Sequence, residues 1–147
     1  MNKAILITNV FSTLFMTGVI WLIQIVQYPF FAKVGKENFL EYHSSHSFWI
    51  TPVVAPMMVL ELITSALLIT YPPNNIDAKL IWLGLILASS VWLSTFFLQI
   101  PMHEKLSQGF NADAHSFLVN SNWIRTIAWS LHSILVMYFV WKTIPEQ

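Results

Sequence analysis

Two histidines stand three residues apart in the stretch FLEYHSSHSFWITP, at positions 43 and 46. On a helix this spacing places both side chains on one face, so the two imidazoles could converge on one ligand. A further histidine, His103, follows a proline at the end of a long apolar run. Neutral imidazoles suit copper, iron and zinc. The sequence therefore predicts a transition-metal site with His43, His46 and His103 as ligands.

Glu61 is the single acidic residue inside the long apolar runs of the chain. Ionisable groups at such positions are costly and often functional. We expect Glu61 to be a further metal ligand or a proton acceptor, with His132 as a second catalytic residue. Both lie about 15 Å below the membrane surface, from the rise of a helix. The structural alternative is a pair between Glu61 and either Arg125 or His132.

Further polar and aromatic residues recur every three or four positions along the same runs, which places them on single helix faces. Such stripes should face the bundle interior, because polar groups in hydrocarbon need partners. Some of these residues could do no more than hydrogen-bond neighbouring helices. Four of them are predicted to bind a cofactor: Gln24, Trp92, Gln99 and Arg125.

The composition indicates a membrane protein. Of the 147 residues, 56% are hydrophobic and 10% are charged, which is unfavourable for a water-soluble globule. The net charge is zero, so no nucleic-acid partner is indicated. Cysteine is absent, which excludes disulfides, thiolate metal sites and iron–sulfur clusters.

Four largely apolar runs are long enough to cross a bilayer as helices, at residues 4–32, 51–71, 80–102 and 122–142. The runs do not alternate as barrel strands do. The predicted fold is all-α: one transmembrane domain over residues 1–147, an integral membrane four-helix bundle. Thr51 and Pro52 indicate the start of the second span. An interfacial helix over residues 37–50 is expected between the first two spans.

With four spans, the first and third connections emerge on the same side of the membrane. His43 and His46 belong to the first connection, and His103 and His115 to the third. His115, beside Asp113, is predicted to be a solvated surface residue. Lysine and arginine are divided almost evenly between the two sides, so they do not orient the chain. We expect a multi-pass protein, in the cell membrane if the source is bacterial.

Three short motifs resemble the anthrone oxygenase-like family of small four-helix membrane proteins. They are FFLQIPMHEKL at the end of the third run, NSNWIRTIAW at the start of the fourth, and VQYPFF at the end of the first. The chain carries His103 where many members have asparagine, and it adds the pair at 43 and 46. The resemblance implies a four-helix membrane fold and an oxidoreductase role.

The predicted function is a metal-dependent membrane oxidoreductase that acts on a lipophilic small molecule through a histidine-rich pocket. Two alternatives belong to other classes. One is an electron-transfer protein that binds haem b through two axial histidines. The other is a non-enzymatic transporter or assembly module in which Glu61 and Arg125 line a path. Membrane lipid and a second copy of the chain are the remaining expected partners.

Overall fold

The computed structural model describes residues 3–144, and this part of the chain forms four long helices without a strand. All four are long and apolar enough to cross a membrane. We call them the first to fourth spans: Lys3–Lys33, Lys36–Thr70, Ala78–Leu106 and Ala112–Thr143. The predicted all-α four-helix bundle is confirmed.

The four spans form a closed ring. Each packs against its sequence neighbours, and the fourth packs against the first. The connections at residues 71–77 and 107–111 are short, so consecutive spans run antiparallel. Asp77 begins the third span by accepting a hydrogen bond from the backbone of Lys79 at 2.8 Å. Asn111 begins the fourth in the same way, accepting from Ala114 at 2.8 Å.

The second span differs from its prediction. Residues 37–50 are helical as expected, but they are continuous with the span, and no new helix starts at Thr51. Pro52 and Pro56 lie inside this helix, where each removes one backbone donor. The Thr51 hydroxyl donates to the backbone oxygen of Ser47 at 2.7 Å. The carbonyls that lose a partner are those of Phe48 and Pro52, four residues before each proline, so the Thr51 bond adds to the ladder and does not replace a lost bond.

This continuity makes the second span longer than a bilayer requires. Its 35 residues correspond to about 52 Å of helix, against roughly 30 Å of hydrocarbon. The N-terminal turns carry the charged residues Lys36, Glu37 and Glu41 beside His43 and His46, so we expect this end to extend past the hydrocarbon core. We call this end of the bundle the histidine end.

The fourth span begins at Ala112, about ten residues before its predicted start. Asn111 supplies the cap that the hydropathy of the chain does not reveal, and the polar residues that follow continue the helix. His115 thus lies on the first turns of a helix and not in a loop. The first and third spans match their predicted limits within a few residues.

Two π-helical stretches interrupt the first and third spans near the histidine end. They cover Ile23–Gln27 and Thr95–Gln99, and a proline follows two residues after each. In each stretch the closing N–H bonds a carbonyl five residues back: Tyr28 to Ile23, and Ile100 to Thr95. A wider turn rotates everything beyond it about the helix axis, and such turns are frequent at functional sites.

Candidate functional site

The structure brings together the three histidines that the sequence singled out. The Nε2 atom of His43 lies 3.0 Å from Nδ1 of His103. The ring of His46 stacks on that of His103, with centroids 6.1 Å apart. Phe31, which is fully buried, packs edge-on against all three rings. We call His43, His46 and His103 the histidine cluster.

A chain of hydrogen bonds joins this cluster to Arg125. Arg125 Nη2 donates to the hydroxyl oxygen of Tyr28 at 3.2 Å, and a guanidinium cannot accept. The Tyr28 proton is therefore free to go to Nε2 of His103, 2.9 Å away. His103 then carries its own proton on Nδ1 and donates it to His43. We assign this tautomer because it gives the Tyr28 hydroxyl proton an acceptor in His103 Nε2.

The same chain occupies both ring nitrogens of His103, one with Tyr28 and one with His43. A metal ion bound at His103 would have to displace one of these bonds. Within residues 3–144, no group of three or more His, Cys, Asp or Glu residues is arranged to hold a metal ion. The arrangement favours a hydrogen-bonded relay, and the metal centre remains a prediction.

A cavity of about 270 Å³ lies beside the histidine cluster, mainly between the second and third spans. We call it the histidine-end pocket. Its wall includes the rings of Trp92 and Phe96, whose centroids are 5.4 Å apart, and aliphatic residues complete most of the rest. Its main polar lining residues are Tyr28, His46, Thr95, Gln99, His103 and Arg125.

Arg125, the one arginine of the chain, is buried at the wall of this pocket. Its Nε and Nη2 atoms donate to Asn122 Oδ1, Nη2 also donates to Tyr28, and Nη1 donates to Thr95 Oγ1 at 3.3 Å. These bonds use four of the five N–H groups of the guanidinium, which leaves one on Nη1. The single ion pair among residues 3–144 lies elsewhere. The pocket therefore carries a positive charge that no carboxylate neutralises.

That ion pair joins Glu61 and His132 in the centre of the bundle. His132 Nδ1 lies 2.7 Å from Glu61 Oε1, which also accepts from Thr13 at 3.1 Å. Glu61 Oε2 accepts from Trp129 Nε1 at 2.7 Å. Both members are 2% exposed, so the pair is buried and well bonded. We call it the central pair.

The central pair is separate from the histidine-end pocket, which Glu61 and His132 do not line. From the sequence, Glu61 and His132 were expected to act with His103 in one histidine-rich site, and the structure does not bring them to that pocket. The pocket lining reaches Met58, one turn before Glu61, but the Glu61 carboxylate is bonded to Thr13, Trp129 and His132 instead. Of the two structural pairs considered, the one with His132 forms.

The predicted cofactor-binding residues divide into two groups. Trp92, Gln99 and Arg125 line the pocket. Gln24 does not: its side-chain oxygen accepts from Asn122 at 2.8 Å and from Thr126 at 3.3 Å, which ties the first span to the fourth. Gln24 is therefore a structural hydrogen-bonding residue.

For two residues of the site, the sequence did not predict the role or the environment that the structure shows. Tyr28, which bonds both Arg125 and His103, was visible only as one position of a polar stripe. His115 was predicted to be solvated, yet it is partly buried, and its Nε2 atom lies 2.8 Å from the backbone oxygen of Tyr28. His115 thus anchors the end of the first span that presents Tyr28.

Comparison with protein-family models, with curated proteins and with solved structures returned no match to this chain. The resemblance to the anthrone oxygenase-like family therefore stays a prediction, and the function is argued from the site.

Proposed function

We propose that this membrane protein binds a lipophilic small molecule in the histidine-end pocket and acts as an oxidoreductase on its oxygen-bearing head group. The observation that carries the proposal is Arg125, a buried cation with one spare N–H, at the wall of a largely apolar cavity. A buried charge without a counter-ion is unfavourable. A ligand oxygen, as in a carboxylate, phenolate or quinone, would complement it, and the aromatic and aliphatic walls suit an apolar body.

The residues beside Arg125 supply proton transfer. A ligand oxygen held at Nη1 of Arg125 lies in the same pocket as the Tyr28 hydroxyl, which could protonate it as a general acid. His103 and then His43 stand behind Tyr28 in the hydrogen-bonded chain. Because His43 belongs to the part of the second span that extends past the hydrocarbon, the chain leads out of the membrane. The electrons of a redox reaction need a separate centre.

A second candidate function, metal binding, has one observation in its favour. The facing nitrogens of His43 and His103 are 3.0 Å apart. If the proton between them is lost, both could bind one copper, iron or zinc ion, with His46 as a further ligand. Copper or iron bound there would supply a redox centre, whereas zinc, which does not change oxidation state, would not. Haem b has no such support, because these two imidazoles are bonded directly and leave no room for a porphyrin between them.

The proposed ligand site can be tested by binding. The purified protein in lipid nanodiscs is titrated with 1,4-naphthoquinone, whose carbonyl oxygens suit Arg125, and tryptophan fluorescence quenching is followed. Arg125→Gln should weaken binding at least ten-fold, because a hydrogen bond from a charged donor contributes about 1.5–3 kcal/mol. Arg125→Lys keeps the charge and should bind more tightly than Arg125→Gln.

Lys142→Gln is the matched control, since it removes a cation from the opposite end of the same span. It should bind the quinone as the wild type does. Equal binding by wild type and a folded Arg125→Gln protein would overturn the proposal.

A further inference from the structure

A second apolar depression, of about 920 Å³, runs along the outer face of the second span. We call it the outer groove. Its lining includes Phe48, Thr51, Pro52, Ala55, Pro56 and Leu60. Thr51 is the one polar residue of the lining, and its hydroxyl is already bonded to the backbone of Ser47. The groove therefore offers hydrocarbon contacts and no free side-chain hydrogen-bonding group.

The outer groove and the histidine-end pocket share two lining residues, Thr51 and Ala55. Both side chains are small and lie one turn apart, so little side-chain volume separates the pocket from the groove. On the opposite side of the gap, Phe96 and Ile100 of the third span line the pocket while being 52% and 47% exposed. The pocket thus opens sideways, between the second and third spans, toward the lipid.

The end of the bundle is more firmly closed. Fully buried Phe31 packs against the three rings of the histidine cluster. A shallow surface depression beside Trp49 also meets the pocket, but there the shared residues are His46 and Ile50, whose side chains are larger. The least obstructed path to Arg125 is therefore the one past Thr51 and Ala55.

We propose that the ligand is a single-chain membrane amphiphile that enters from the bilayer between the second and third spans. Its oxygen-bearing head occupies the pocket of about 270 Å³ at Arg125. Its hydrocarbon chain passes over the small side chains of Thr51 and Ala55, through the gap between the second and third spans, and lies in the outer groove against Pro52 and Pro56. This inference rests on the proposed function, because it needs the head group to bind at Arg125.

The test uses 1,4-naphthoquinone and its 2-alkyl derivatives with chains of four, eight and twelve carbons, each titrated into nanodiscs. Affinity is expressed per mole of lipid, so that partition into the bilayer does not count as binding. In the wild type, affinity should rise at least ten-fold from the chainless to the twelve-carbon probe. Val59→Phe places a ring in the outer groove without changing the pocket lining, so it should remove most of this gain while leaving the chainless probe within about two-fold.

Ile63→Phe is the matched control, because Ile63 is exposed on the same span and lines neither space. It should leave the whole chain-length series unchanged. No binding of the chainless probe to the wild type would overturn the proposed function. Chainless binding without any chain-length gain would overturn only the bilayer route.

A labelling experiment does not depend on the folding of any variant. A twelve-carbon 2-alkyl naphthoquinone with a terminal diazirine is photolysed on the wild-type protein, and the labelled peptides are mapped. Labels within residues 51–60 are expected. Labels concentrated around Gln27 and Trp49 would place the chain in the other depression and overturn the inference.

Discussion

The hydroxyl oxygen of Tyr28 lies 2.9 Å from Nε2 of His103, and this bond connects the buried Arg125 to the histidine cluster. Arg125, which can only donate, already donates to the Tyr28 oxygen, so we assign Tyr28 as the donor to His103. In this assignment, one residue of the first span decides which nitrogen of a third-span histidine carries a proton. The π-helical stretches of both spans lie just before these two residues and determine how they face each other.

The tautomer of His103 is directly observable. In wild-type protein labelled with ¹⁵N at histidine, His103 should be protonated on Nδ1, with its signal assigned by its loss in His103→Gln. Tyr28→Phe removes the donor to Nε2, so the Nε2-protonated form should appear. His115→Gln should leave the tautomer unchanged, because His115 bonds the backbone of Tyr28 and not its hydroxyl. A wild-type His103 protonated on Nε2 would contradict the relay.

Metal content tests the second candidate function. If the histidine cluster binds copper, iron or zinc, then His43→Ala, His46→Ala and His103→Ala should each lower bound metal ten-fold or more. His115→Ala should leave it nearly unchanged, since that imidazole bonds a carbonyl outside the cluster. Mass-spectrometric metal analysis of protein purified in detergent gives the stoichiometry. Equal metal content in the wild type and the three cluster variants would exclude these histidines as ligands.

The central pair is expected to contribute stability. Glu61→Gln replaces an acceptor oxygen with an amide N–H that must face a donor from Trp129, Thr13 or His132. Breaking a buried pair of this kind costs about 3–5 kcal/mol. The free energy of unfolding in mixed micelles should fall by that order, whereas exposed Glu104→Gln should change little.

Quinone binding by Glu61→Gln should be unchanged below its melting temperature, because Glu61 does not line the pocket. Loss of binding or activity in a variant of unchanged stability would instead assign Glu61 a catalytic role.

Two glycines, Gly84 and Gly18, allow a matched test of how tightly the third span packs against His132 of the central pair. A Cβ at Gly84 would lie 3.3 Å from Nε2 of His132, while a Cβ at Gly18 would meet nothing within 4 Å. Both changes to alanine gain helix propensity, about 1 kcal/mol. Gly84→Ala should nevertheless be less stable than Gly18→Ala, because it displaces His132. Identical thermal unfolding of the two variants would show that the third span does not pack tightly on His132.

The continuity of the second span can be measured by distance. Spin labels at the exposed positions Ser44 and Val59 are fifteen residues apart, which predicts about 22 Å along one continuous helix. Pulsed electron resonance in nanodiscs gives this distance directly. A much shorter distance would show that the helix breaks near Thr51, as the sequence predicted.

The sequence by itself determined the four spans, because membrane crossing depends on the length and composition of a local run and not on its neighbours. It also predicted that Thr13, Glu61 and Arg125 lie inside the bundle, since the spacing of polar residues defines a helix face. The three histidines could be placed at one end from the number of spans alone.

Only the tertiary structure decided which of these residues meet. Pro52 suits the first turn of a helix as well as the interior of a membrane helix, so the local sequence could not show that the second span continues through it. That continuity, together with the depth and rotation of the fourth span, separates Glu61 from the histidine cluster and pairs it with His132. Arg125 is left beside the pocket without a carboxylate. Relative depth and rotation arise from packing between helices distant in sequence, which the periodicity of any single helix does not contain.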